Sequence, residues 1–126
     1  MKNKLEKLLN NAYAPYSNFK VSCIIVTNDN KEFIGVNVEN ASYGATVCAE
    51  RTAILSAIAN GYKKGDFKEI HIMNSSKKIA FPCFLCRQVL IEFFNPETKV
   101  FLYTKDKEES YTLGELTPYE FNKENL

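Results

Sequence analysis

The 126-residue sequence predicts an α/β protein, a three-layer α/β/α domain with a mixed sheet of about five strands, occupying residues 1–126 as one domain. Three observations predict it. Short apolar runs with strand character recur along the chain. The first two are joined by a turn signal, which makes an antiparallel hairpin. The later ones alternate with helical segments, which requires parallel crossovers and a helix-covered sheet. A chain of this length buries about two thirds of its unfolded surface, so its core does not depend on disulfides.

The elements follow in order. Leu5, Leu8, Leu9 and Ala12 recur at i, i+3, i+4 and i+7, one face of a short helix that Pro15 ends. Val21 to Val26 is a nearly continuous apolar run, as in a strand covered on both faces. Asn28-Asp29-Asn30 turns the chain back into a second strand, where Ile34, Val36 and Val38 alternate with Gly35, Asn37 and Glu39. That period of two sets Asn37 and Glu39 on one face at the strand's end. Cys48 to Asn60 reads as a helix with Gly61 as its stop. Lys68 to Met73 is a third strand, and Pro82 opens a helix whose buried face is Cys86, Val89, Leu90, Phe93 and Phe94. Asn95-Pro96 ends it, Val100 to Tyr103 is a fourth strand, and Ser110 to Thr112 a short fifth. From Leu113 onward the sequence reads as a polar tail with embedded aromatics.

Composition narrows the function. The net charge is +1 with no basic block, which argues against a nucleic-acid partner. No stretch approaches the ~20 apolar residues of a membrane span, and the N-terminal residues lack a secretory pattern. The expectation is a cytoplasmic protein with no membrane partner. In a reducing compartment Cys23, Cys48, Cys83 and Cys86 are thiols, metal ligands or nucleophiles rather than disulfides. Of the sixteen basic Lys and Arg residues only Arg51 and Arg87 are arginine, and both adjoin cysteine motifs.

Those motifs are Cys48-Ala49-Glu50-Arg51 and Pro82-Cys83-Phe84-Leu85-Cys86-Arg87, each at an expected helix start. A helix N-terminus favours thiolate over thiol. Cys83 and Cys86 lie one turn apart, so both sulfurs can face one ion, and Cys48 can supply a third. Three protein ligands leave a position for water, the usual catalytic zinc arrangement. Zinc would bring the pKa of its water to about 7, and Glu50 could carry the proton. Zinc with three thiolates has one excess negative charge, which hydrogen bonds from Arg51 and Arg87 to the sulfurs would offset. Other readings stand beside this one. Cys83-x-x-Cys86 could be a redox pair, and Cys23 could close a structural four-cysteine site, although a mid-strand position suits a core thiol better. His71, the one histidine, reads as structural.

Asn37-Val-Glu-Asn-Ala-Ser-Tyr43, Cys48-Ala-Glu-Arg-Thr-Ala53, Pro82-Cys-x-x-Cys-Arg-Gln88 and Tyr13-Ala-Pro-Tyr-Ser-Asn-Phe19 together resemble the homotetrameric cytidine deaminases, in order and over nearly the whole chain. The resemblance implies a hydrolase acting on cyclic amidines, converting cytidine and 2′-deoxycytidine to the uridine forms with release of ammonia in pyrimidine salvage. It implies that Cys48, Cys83 and Cys86 bind one Zn²⁺ per chain and that Glu50 shuttles protons, as in zinc nucleobase deaminases generally. Asn37 and Glu39 would bind the ribose, Phe19 would pack on the base, and the Ala49 backbone would read the base edge. Asn40 would join the substrate site, and Tyr43 would lie near the sugar. Phe121 would reach a neighbouring subunit's site, making a homotetramer necessary for activity. Two departures bear on substrate fit: Phe84 replaces a usual Gly, and Lys20 and Ser22 replace a usual Pro and Gly. Blasticidin-type deaminases share the three cysteines, but Asn37-x-Glu39 favours a ribose site. Polynucleotide editing is disfavoured by the balanced charge and by Cys, rather than His, at the first ligand position.

Overall fold

A computed structural model describes all residues 1–126. The chain runs α1 (Lys2–Leu8), β1 (Val21–Thr27), β2 (Glu32–Val36), α2 (Ala49–Ala59), β3 (Phe67–Asn74), α3 (Phe84–Phe93), β4 (Lys99–Tyr103), β5 (Glu108–Thr112) and α4 (Leu113–Leu116). The five strands form one sheet in the order β2-β1-β3-β4-β5. β1 is antiparallel to both β2 and β3, β3 and β4 are parallel, and β4 and β5 are antiparallel. β2 and β3 therefore point the same way, so β2-α2-β3 and β3-α3-β4 are the two crossovers that the alternation of elements required.

Burial follows the period of two. Cys23 and Ile25 of β1, Ile70 and Ile72 of β3, and Val100 and Leu102 of β4 face α2 and α3, where Ala53, Ile54, Ala57, Leu90 and Phe94 complete the main core. Ile24, Met73 and Tyr103 face the other way and are covered by Leu5 of α1. These are the three layers the sequence predicts, with the lighter cover supplied by one short helix. His71 sits on this second face. It stacks on Phe101 at 4.6 Å between ring centroids and bonds the Tyr103 hydroxyl through Nδ1, a structural role as expected.

Several boundaries move, each for a local reason. The first helix becomes a 3-10 turn over Leu9–Asn11. β2 ends at Val36, because beyond it Val38 leaves the ladder and bridges Tyr13 and Val47 instead. Pro82 precedes its helix rather than opening it: Cys83 is the extended N-cap residue, at φ −64° and ψ 161°. α2 stops as expected at Gly61, whose φ of 95° suits glycine, and the Gly61 and Tyr62 amides bond Ile58 O and Ala57 O. The expected polar tail from Leu113 is corrected: Thr112 and Glu115 form a reciprocal capping box that starts α4, and Leu113 and Leu116 are buried. No helix is long and apolar enough to cross a membrane.

Candidate active site

The site lies where the N-termini of α2 and α3 meet at the edge of the sheet. Gly35 makes that meeting possible. A Cβ there would stand 2.4 Å from Ala49 O and 2.5 Å from Ala53 N, so only glycine lets β2 run this close under α2. The Thr52 hydroxyl ties the two elements by a 2.9 Å bond to Val36 O.

Cys48 and Cys83 are the N-cap residues of α2 and α3, both with extended backbone, which turns each side chain off its helix end toward the other. Cys86 follows one turn into α3, and its amide donates to Cys83 Sγ at 3.4 Å. The sulfurs stand 3.9 Å apart for Cys48 and Cys83 and 3.4 Å for Cys83 and Cys86, with all three inside 4.8 Å. Tetrahedral zinc with sulfur at 2.3 Å sets its ligands about 3.8 Å from one another, so the cluster fits that ion. Cys23 is no part of it; the thiol is fully buried in the main core, where desolvation pushes its pKa up.

Charge is organised around the sulfurs. Hydrogen bonding with Cys86 and the Arg51 guanidinium lower Cys48 to about 5, while the contact with Cys48 and burial push Cys86 up. Arg51 donates through Nη2 to Cys48 Sγ at 3.5 Å, as its place beside the motif predicts. The same expectation for Arg87 is corrected. Its guanidinium donates to Pro82 O at 2.7 Å and Leu116 O at 3.0 Å and lies 4.4 Å from the Phe84 ring centroid, facing the C-terminal segment rather than a sulfur. Glu50, one residue past the start of α2, is 4% exposed. Burial raises its pKa, with its own backbone amide partly opposing. A carboxyl whose pKa is raised in this way is suited to exchange a proton.

Cys48, Ala49, Glu50 and Cys83 line a cavity of about 290 Å³ together with Phe19, Asn37 and Glu39. Residues 1–103 match the family described as the cytidine and deoxycytidylate deaminase zinc-binding region. The chain belongs to that family. A cytidine deaminase of Mycoplasma genitalium is 40% identical over 121 residues, 95% of this chain and 92% of that one. The crystal structure of a cytidine deaminase from Burkholderia pseudomallei superposes with a TM-score of 0.90 at 45% identity, over 94% of each chain. That of Mycobacterium leprae does so with a TM-score of 0.72 at 35% identity, covering 93% of this chain and 97% of that one. The family's matched region is a zinc-binding one, and Cys48, Cys83 and Cys86 are the cluster able to hold the ion.

The remaining deaminase-motif residues fall into three groups. Phe19, Asn37, Glu39 and Ala49 line the cavity. Asn37 also supports the fold locally. Its Oδ1 accepts from Val21 N at 2.9 Å and its Nδ2 donates to Phe19 O at 2.8 Å, fixing the segment that presents Phe19. One acceptor and one donor position of that amide remain. Asn40 and Tyr43 instead line an adjoining cavity of about 390 Å³ that shares Ser17, Glu39 and Thr46 with the first. Asn40 caps a turn by accepting from Ser42 N, and Tyr43 is exposed, with its ring edge-on to Tyr16. Phe121 lies outside both, 55% exposed, with its carbonyl accepting from Gln88 Nε2.

Of the two departures, Phe84 is 79% exposed and lines a separate cavity against the C-terminal segment, so its ring leaves the deaminase cavity untouched. Ser22 donates to Leu5 O in the second core, and the Lys20 amide donates to Ser75 Oγ. Sequence reasoning missed Asn74, Phe81 and Ser17 among the lining residues. Asn74-Ser-Ser76 carries a readable turn signal, since Asn74 Oδ1 accepts from Ser76 N and Oγ. Ser17 sits in the Tyr13–Phe19 block beside Asn18, whose φ of 56° turns the chain just before Phe19.

Proposed function

We propose that this chain hydrolyses cytidine and 2′-deoxycytidine to uridine and 2′-deoxyuridine with release of ammonia, using one zinc per chain, in cytoplasmic pyrimidine salvage. One observation carries the reading. A buried carboxyl, Glu50, lines one cavity together with two sulfurs of a three-cysteine cluster and with an amide and a carboxylate, Asn37 and Glu39. Cys48, Cys83 and Cys86 would hold the zinc, which when bound makes water nucleophilic near neutral pH.

Glu50 takes the proton released as water adds to C4 of the base and delivers it to N3. A second proton passes through the same carboxyl to the amino nitrogen, and the C4–N bond breaks to give ammonia and the C4 carbonyl. Ala49, at the start of α2, offers backbone groups to the base edge, and Phe19 packs on the ring. Asn37 and Glu39 hold the sugar, with Asn40 and Tyr43 shaping the sugar end. Arg51 offsets the thiolate charge. Residues 1–126 act as one domain, which the single five-stranded sheet supports. The chain assembles as a homotetramer, and the position of Phe121 outside its own cavity supports a role in a neighbour's site.

The test follows the absorbance of cytidine with wild type and Glu50→Ala, alongside zinc analysis. Wild-type turnover at one zinc per chain, with a loss of roughly 10²-fold or more in the variant and zinc retained, is expected. Turnover that survives in Glu50→Ala would remove the carboxyl from the mechanism, and a zinc-free active enzyme would remove the metal.

A further inference from the structure

We infer that Ser17 is a positioning residue that fixes which oxygen of Glu39 meets the sugar and couples that carboxylate to Phe19; the inference rests on the nucleoside reading of this cavity. Glu39 is held from one side by a single turn. Its Oε1 accepts from Tyr16 N at 3.0 Å and from Ser17 N at 3.1 Å, and its Oε2 accepts from the Ser17 hydroxyl. A carboxylate oxygen has about two acceptor directions. Oε1 is therefore fully used by the backbone, and Oε2 keeps one direction for a ligand.

The hydroxyl of Ser17 works both ways, because its oxygen also accepts from Phe19 N at 3.0 Å. One atom thus links the group that would meet the sugar to the residue that would pack on the base, and Ser17 lines both adjoining cavities. The consequence is specific. Glu39 accepts a single sugar hydroxyl, at Oε2, in a direction set by Ser17, and the other ribose hydroxyls must find their partners elsewhere. Asn37 has the spare capacity, having used one bond at each end of its amide.

The test compares wild type, Ser17→Ala and Ser17→Thr on cytidine and on 2′,3′-dideoxycytidine, with zinc content and thermal midpoint measured for each. Ser17→Ala should lower kcat/KM for cytidine about tenfold, mainly through KM. It should lower the smaller value for dideoxycytidine clearly less, because that substrate lacks the 2′ and 3′ hydroxyls and loses only the contribution made through Phe19. Ser17→Thr, which keeps the hydroxyl, should restore the cytidine value. An equal fall on both substrates would mean that Ser17 merely supports the loop, and no fall on either would mean that the backbone amides alone orient Glu39; each overturns the inference. A wild type that turns over neither substrate would instead overturn the nucleoside reading beneath it.

Discussion

At the scale of single residues, the site works by giving carboxyls opposite environments. Glu50 is buried and its pKa is raised by desolvation, whereas Glu39 is lowered, first by the Ser17 hydroxyl and then by the Ser17 and Tyr16 amides. One is suited to exchange a proton and the other to stay ionised as an acceptor. The second carries a stability prediction. A carboxyl whose folded pKa lies below its ordinary 4.5 favours the folded state above that value, and the contribution disappears as pH falls through the lowered one. Urea midpoints of wild type and Glu39→Gln should therefore differ at pH 6 and converge as the pH is taken down through that lowered value. A constant gap across that range would show that Glu39 supports the fold by packing rather than by charge. Arg87 shows how far a residue's neighbours in sequence mislead. It adjoins Cys86 in the chain, yet its guanidinium bonds Pro82 O and Leu116 O, because the side chain leaves the helix on the face turned to α4.

At the scale of elements, two short-range devices hold the site in place. Gly35 sets the spacing between β2 and α2, so Gly35→Ala must push Ala49 and Ala53 outward and carry Cys48 and Glu50 with them. The expected cost is about 1–3 kcal/mol in chemical denaturation, together with weaker zinc retention; a neutral substitution would show that α2 slides freely on the sheet. The second device is the capping box of Thr112 and Glu115, which starts α4 and delivers Leu116 to Arg87. Thr112→Ala should cost about 1 kcal/mol, and Leu113→Ala, which empties a fully buried site, about 2–5 kcal/mol. Denaturation curves in which the cap matters more than the core leucine would contradict this order. The capping box was open to sequence reasoning, since Thr112-x-x-Glu115 precedes a leucine pair at helical spacing. Its four-residue helix is too short for periodicity to reveal it.

At the scale of the whole molecule, the C-terminal segment is held outside the cavity of its own chain. Arg87 and Gln88, just past the cysteines of α3, bond Leu116 O and Phe121 O, and a groove of about 610 Å³ separates the segment from Phe81, Phe84 and Ile91. Phe84, Tyr119 and Phe121 leave an apolar surface there. If sites are shared between subunits, Glu50→Gln and Phe121→Ala will each be impaired alone, and subunits mixed after dissociation will regain activity. Each variant supplies what the other lacks. Mixing without recovery, under conditions where subunit exchange is demonstrated, would confine Phe121 to a structural role.

The sequence by itself determined the layers, the hairpin, the two crossovers and the three-cysteine cluster with its glutamate, because each is written in short-range terms. Apolar period, turn residues and the one-turn spacing of Cys83 and Cys86 act over a few residues, and the cysteines stand at helix starts that their own segments define. Tertiary structure alone decided how those starts meet. The sulfur of Cys48 comes to 3.9 Å from that of Cys83 because Gly35 admits α2 against the sheet. Asn37 and Glu39, two residues apart, take different partners from the segment that carries Phe19. Arg51 and Arg87 looked alike beside their motifs, and only the packing of α4 gave them different acceptors. Long side chains choose among partners brought together from distant parts of the chain, and no local pattern records that choice.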